Sequence, residues 1–249
     1  MNQPKDIAAN YITIAKGKTA LAWYKIAVLA VLAGAFIALG GALATVAGSA
    51  VGGDRAILVK GAVFPLGLML VVVCGAELFT GNCLLLAPLC TKDIKASGMF
   101  KNWGIAYIGN FIEAFVKALL IVYITAYDAQ TAQAAVALVA KKCEMNFGYA
   151  LLKGILCNML VCLAVWAAMA SKSAGGKILA VYLPVFAFVV CGFEHSIANM
   201  YYIVSGFMAA GEYGIAFAGS NFGNGLLNGL LAPTIGNIIG GGFLNLFRL

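Results

Sequence analysis

Cys74-Gly75-Ala76-Glu77-Leu78-Phe79-Thr80-Gly81-Asn82 and Cys191-Gly192-Phe193-Glu194-His195-Ser196-Ile197-Ala198-Asn199 are one phrase written twice, C-G-x-E-x-x-x-x-N. Each copy closes an apolar run long enough to enter a bilayer. Glycine loosens a helix, and a carboxylate among lipid chains is costly unless it is paired. Two such interruptions at matching places in the two halves predict broken helices that meet at a midplane site between inverted repeats, the architecture of a transport protein.

Composition agrees. With 63% hydrophobic and 10% charged residues and a mean hydropathy of +0.97, the chain has too little polar surface to cover a soluble globule. The net charge of +7 is spread mainly between apolar runs, with no basic cluster interleaved with aromatics, which argues against nucleic acid as a partner. Seven cysteines form no C-x-x-C pair and have one histidine for company. They read as small buried hydrophobes, with only Cys143 in a polar loop; no disulfide framework, metal site or cofactor is expected.

Apolar runs fall at about 21–50, 57–89, 103–127, 149–171, 178–210 and 226–247, which makes six transmembrane spans in a single domain over 1–249. The second and fifth runs are over-long and hold the two repeated phrases, so each is drawn as a half-helix, a turn and another half-helix, broken at 75–81 and 192–198. Pro65 and Pro184 precede the repeated cysteines by nine and seven residues, and Ile108-Gly109-Asn110 is echoed by Ile235-Gly236-Asn237. Three spans per half force the second half upside down relative to the first. The fold class is therefore an all-α integral membrane protein of two inverted three-helix repeats.

Residues 1–20 form an amphipathic cytoplasmic segment, with Ile7, Tyr11 and Ile14 on one face, expected to lie on the membrane surface. With both termini cytoplasmic, Lys5, Lys16, Lys18, Lys25, Lys92, Lys95, Lys101, Lys172, Lys177 and Arg248 are inside, whereas Arg55, Lys60, Lys141 and Lys142 are outside. This orientation fits a cell, or inner, membrane.

The stretches 75–82 and 192–200, the tail from Pro233 to Gly242, and Gly154-Ile155-Leu156-Cys157-Asn158 with the apolar run after it resemble the formate/nitrite transporter family from about Leu21 to the C-terminus. That resemblance implies a homopentamer of aquaporin-like protomers, each with its own pore for small monovalent anions: formate first, hydrosulfide or nitrite next. Membrane lipid is the expected filling of the pentamer axis. It also implies that His195 is the central pore histidine, that Phe64, Leu68, Leu78, Phe79, Val161 and Phe188 are the bulky apolar residues of the constrictions, and that Lys142 stands in the outer vestibule.

The residues carry a reading of their own. Thr80 in the first break can donate to an anion or to His195 in the second. His195 is the only side chain here whose unperturbed pKa lies near physiological pH, so it attracts an anion as imidazolium or gives it a proton. Glu77 and Glu194 would repel an anion if they faced the pore. They are assigned instead to hold the breaks open by accepting backbone N–H groups, helped by Asn82, Asn158 and Asn199. Glu113 and Lys117, at i and i+4 in the third span, neutralise each other at a subunit interface or near headgroups. The connection between the third and fourth spans reads as a short loop that leaves the outer vestibule open. A water or small-neutral-solute channel is the alternative class, but no Asn-Pro-Ala pair occupies either break. An enzyme would need a second acid/base group or a cofactor motif beside His195.

Overall fold

The computed structural model describes residues 1–125, 127–217 and 221–242, and every regular element among them is helical. Helix α1 (Pro4–Ala20) begins with proline in its first turn and a capping box in which the Gln3 backbone N–H donates to Asp6 at 3.2 Å. Helix α2 (Trp23–Val51) follows, then α3 (Ala56–Cys74), which carries Pro65, and α4 (Phe79–Cys90). Helix α5 (Ala96–Leu120) continues as a π-helical turn, Ile121–Thr125. Helices α6 (Ala129–Glu144), α7 (Phe147–Ala170), α8 (Ala174–Val190) and α9 (Ser196–Glu212) lead to α10, which joins Phe222–Asn224, π-helical Gly225–Leu231 and Ala232–Gly242. The end of the sixth apolar run, at Phe247, and Arg248 lie outside the described residues.

Four of these helices, α2, α3, α5 with its π turn, and α7, are long and apolar enough to cross a bilayer, and α4 and α8 are shorter apolar helices. The largest packed pairs are α2 with α5 and α7 with α10. Small residues make them: Ala30, Gly34 and Gly109 in the first pair, and Gly154, Gly236 and Gly240 in the second, where backbones approach each other directly.

Both interruptions are present, and both are shorter than the sequence reading. Helix α3 stops at Cys74 because Gly75 takes a left-handed conformation (φ +75°), and α8 is followed by Gly192 at φ +65°. Helical structure resumes at Phe79 and at Ser196, so Thr80, Gly81 and the stretch from Ser196 to Ala198 belong to the first turn of the next helix rather than to the break. The turn forms early because a capping group from a neighbouring helix is already in place.

Two expectations about the ends of the molecule are corrected. The stripe that α1 buries is Ile7, Tyr11 and Ala15, with Ile14 exposed. Its start is tied to the end of α7, where the Asn2 side-chain amide donates to the Met169 carbonyl at 2.8 Å and the Asn2 backbone N–H to the Ala170 carbonyl at 2.9 Å. The helix thus seats on the bundle. The connection after α5 is not an open loop either: it is the 16-residue helix α6, packed on α9. Asp128 caps it by accepting from the Thr131 N–H at 2.7 Å, and Ala132, Ala135, Val136, Val139 and Cys143 form its buried face. Cys143 is accordingly buried, not in a polar loop.

Glu113 and Lys117 form an ion pair along one side of α5, both partly shielded.

Candidate functional site

Each break frees backbone groups that a continuous helix would have paired, so each needs other partners. In the first, Asn110 of α5 accepts from the Phe79 N–H at 3.0 Å while its amide donates to the carbonyls of Ala30 at 2.7 Å and Glu77 at 3.1 Å. In the second, Asn237 of α10 accepts from the Ser196 N–H at 2.9 Å and donates to the carbonyls of Gly154 at 2.8 Å and Glu194 at 2.9 Å. The backbone N–H groups of Glu77 and Glu194 reach the carbonyls of Leu29 and Lys153, one residue before Ala30 and Gly154. One asparagine therefore staples each break to the first crossing helix of its half. Sequence reasoning noted these asparagines as an echo but gave them no role; the signal was the repeated Ile-Gly-Asn.

The two carboxylates do not accept the backbone N–H groups expected of them. Glu77 accepts from the Lys18 ammonium at 2.6 Å and from the amides of Asn82 at 2.7 Å and Asn102 at 3.0 Å. Glu194 accepts from the Lys142 ammonium and the Asn199 amide, both at 2.6 Å. Their partners are side chains, because a buried carboxylate needs a full counter-charge as well as donors. Lys142 is thereby corrected: it lies on the buried face of α6, its side chain is only 7% exposed and paired to Glu194, and it does not stand free in a vestibule. Asn158 donates to the carbonyls of Thr80 at 3.1 Å and Asn237 at 2.6 Å, which links the two breaks.

The helix starts that follow the two breaks meet at Thr80 and His195, whose Oγ1 and Nε2 are 2.9 Å apart and buried. His195 Nδ1 accepts from the Ala198 N–H at 3.0 Å. A nitrogen that accepts carries no proton, so in this geometry the imidazole is neutral and its hydrogen is on Nε2. Nε2 then donates to Thr80 Oγ1, and the threonine hydroxyl hydrogen is left to point at a third group.

Phe188 stacks on the imidazole with ring centroids 5.8 Å apart, and Phe64 meets Phe188 edge-on at 5.8 Å. Phe79 lies edge-on against Trp103 at 5.8 Å and Tyr107 at 4.9 Å, and Val161 is fully buried. Leu68 and Leu78 line a cavity of about 430 Å³ beside α1, together with Tyr11, Lys18, Glu77 and Asn82. Of the apolar residues expected in constrictions, the structure thus gathers Phe64 and Phe188 near His195 and sets Leu68 and Leu78 on the cavity wall. Among the described residues, no group of three or more His, Cys, Asp or Glu is placed to hold a metal ion.

The family model for formate/nitrite transporters matches residues 5–248. The chain belongs to that family. It is 41% identical to a probable formate transporter of Methanothermobacter thermautotrophicus, over 96% of this chain and 92% of that protein. It is 38% identical to the formate channel FocA of Escherichia coli strain K12, over 87% of this chain and 82% of that protein. A solved pentameric formate channel with formate bound superposes with a TM-score of 0.80 at 33% identity, covering 90% of this chain and 95% of the other. An ion channel of the same family gives 0.81 at 29% identity, covering 97% and 94%. Membership and the apolar helices together make this a multi-pass membrane protein and a member of a transporter and channel family.

Proposed function

We propose that the chain conducts small monovalent anions, formate first, through one pore in each protomer of a homopentamer. The observation that carries this reading is the Thr80–His195 contact, at the point where two helix starts converge inside an apolar bundle. Helices α4 and α9 begin there, and their first N–H groups supply partial positive charge to an approaching anion. The Thr80 hydroxyl, backed by the His195 Nε2–H, is the donor an anion meets. A bare anion loses its hydration between Phe64, Phe188, Leu68 and Leu78 at a cost that a protonated acid avoids. A proton taken up together with the anion, and not removed from the neutral imidazole, would let the substrate pass as the neutral acid while the Thr80 hydroxyl and the His195 Nε2–H hold it by hydrogen bonds.

The proposed architecture is a pair of inverted repeats, each a flanking helix, a crossing helix, a broken helix and a third helix. The spacing supports it: Lys18 stands 12 residues before Ala30 (30 − 18) and Lys142 stands 12 before Gly154 (154 − 142), and each lysine neutralises the glutamate of its own half. The excess of lysine near α1 supports a cytoplasmic face on that side. Names of relatives and the formate-bound neighbour favour formate among the anions.

Purified protein in liposomes, given formate, nitrite and hydrosulfide in turn, tests the reading. Formate flux well above that of empty liposomes, abolished or strongly reduced in His195→Phe, is the expected result. Water flux with no anion flux would replace the reading by a neutral-solute channel.

A further inference from the structure

Lys60 stands 14 residues before Cys74 (74 − 60) and Lys177 stands 14 before Cys191 (191 − 177), so each half places a lysine in the helix that leads into its break, at the same distance from it. Neither forms an ion pair among the described residues. Their surroundings differ. Lys177 lines the cavity beside α1, where Lys18 is already matched to Glu77. Lys60 lines a second cavity, of about 260 Å³, walled by the end of α2 remote from α1, the start of α3, and α6, and Lys141 of α6 lines it as well. Among the described residues no carboxylate lines this space; its other walls are glycine, alanine, leucine, serine and glutamine. Two ammonium groups therefore share one cavity without a counter-charge, close enough for the charge of Lys141 to act on Lys60. Lys60 is also held in place. It is half-buried, and its stem lies across Gly48 of α2, where a Cβ would collide with the Lys60 Cε and fall 2.8 Å from its Cγ. A lysine free on the surface swings away from a second cation into water, whereas one packed into a glycine notch does so only by giving up that packing. The repulsion is thus built into the fold, and an anion between the two ammonium groups relieves it. The cavity adjoins the candidate site: Phe64 is four residues on from Lys60, about 6 Å along the same side of α3, and Phe64 meets Phe188, which stacks on His195.

We propose that Lys60 and Lys141 form an anion site at the mouth of the pore remote from α1, where a small anion such as formate is held between two ammonium groups before it sheds its water at Phe64 and Phe188. This rests on the anion-conducting reading above and extends it to residues outside the two breaks. It supplies the cations of that mouth from residues other than Lys142, whose charge is matched by Glu194. The site selects for charge and small size rather than for shape, because an ammonium is a compact point charge with rotatable donors. A neutral solute gains nothing from it.

The test is equilibrium exchange of radiolabelled formate by the full chain in liposomes, wild type against Lys60→Gln and Lys141→Gln. It is run at about 0.01 M and about 1 M ionic strength, where charges are screened beyond about 30 Å and about 3 Å respectively. At low ionic strength each variant should raise the half-saturating formate concentration about 3- to 5-fold with the maximal rate retained, and at high ionic strength the variants and the wild type should agree within about 1.5-fold. Lys141 is exposed, so Lys141→Gln reads the site even if Lys60→Gln does not assemble. Wild-type half-saturation at low ionic strength in either assembled variant would overturn the inference. A deficit that persists at high ionic strength, or a lowered maximal rate with unchanged half-saturation, would overturn it as well, making Lys60 a packing partner of Gly48 and no more. A wild-type chain that exchanges no formate would instead overturn the underlying reading of function.

Discussion

The first and second breaks share a scaffold and differ in what they present. Each has a left-handed glycine, a glutamate paired to a lysine from a flanking helix, an asparagine five residues on, and a stapling asparagine from a later helix. At matching positions, however, the first carries Leu78 and Thr80 where the second carries His195 and Ile197. Burial differs too: the Lys18 side chain is 22% exposed beside a cavity, and that of Lys142, on the buried face of α6, is 7% exposed. Equal scaffolds hold unequal contents: the groups that keep each break open are separate from the groups that differ between the two.

The largest effect should come from unbalancing the more deeply buried pair. Glu194→Ala leaves Lys142 charged and unpaired, and should cost about 3–5 kcal/mol of folded-state stability. Glu77→Ala should cost less, because Lys18 can reach water. Thermal unfolding in detergent checks the difference, and equal losses would break the contrast in burial. The double variant Glu194→Gln with Lys142→Met should recover most of the stability.

Next come the staples. Asn110→Ala and Asn237→Ala each strand one backbone N–H and two carbonyls, so each should cost about 2–3 kcal/mol and the two should match. Hydrogen exchange at Phe79 and Ser196 reads the loss directly. A mild effect at one and a severe effect at the other would show that the scaffolds are not equivalent.

The contents of the breaks should respond in flux rather than in stability. His195→Phe should lower formate flux at least about tenfold and flatten its pH dependence, and Thr80→Ala should lower it several-fold by removing the hydroxyl between imidazole and anion. Wild-type rate and pH dependence in His195→Phe would make the histidine structural.

The smallest effect belongs to the flanking helix α6. Bonds from Thr131, first from its backbone N–H, hold the Asp128 carboxyl below the usual aspartate range. A depressed carboxylate stabilises the helix start above its unfolded pKa and loses that contribution as pH falls through its folded value. Asp128→Asn, which can still cap, should be nearly silent, whereas Asp128→Ala should loosen the first turn of α6, seen as faster amide exchange there.

The breaks were legible because their signals are local: a glycine, a carboxylate and an asparagine within nine residues interrupt an apolar run whatever the rest of the chain does. Thr80 and His195 stood out for the same reason. Helix α6 was not legible as a packed element, since its alanine- and glutamine-rich run is too polar to read as a span and its buried face depends on α9 being there to receive it. The partners of the glutamates were invisible in principle, because Lys18 and Glu77 are 59 residues apart and Lys142 and Glu194 are 52.

What the sequence by itself determined is the membrane class, the two broken helices and the residues at their centre, all of which follow from hydropathy and from residue types that lipid penalises. What only the tertiary structure decided is where the breaks end, which asparagines close them, and that Lys142 is a buried counter-ion. These depend on groups contributed by other helices, and the cost of leaving a backbone N–H or a carboxylate unpaired in a dry interior selects partners by proximity in space, which the order of residues along the chain does not specify.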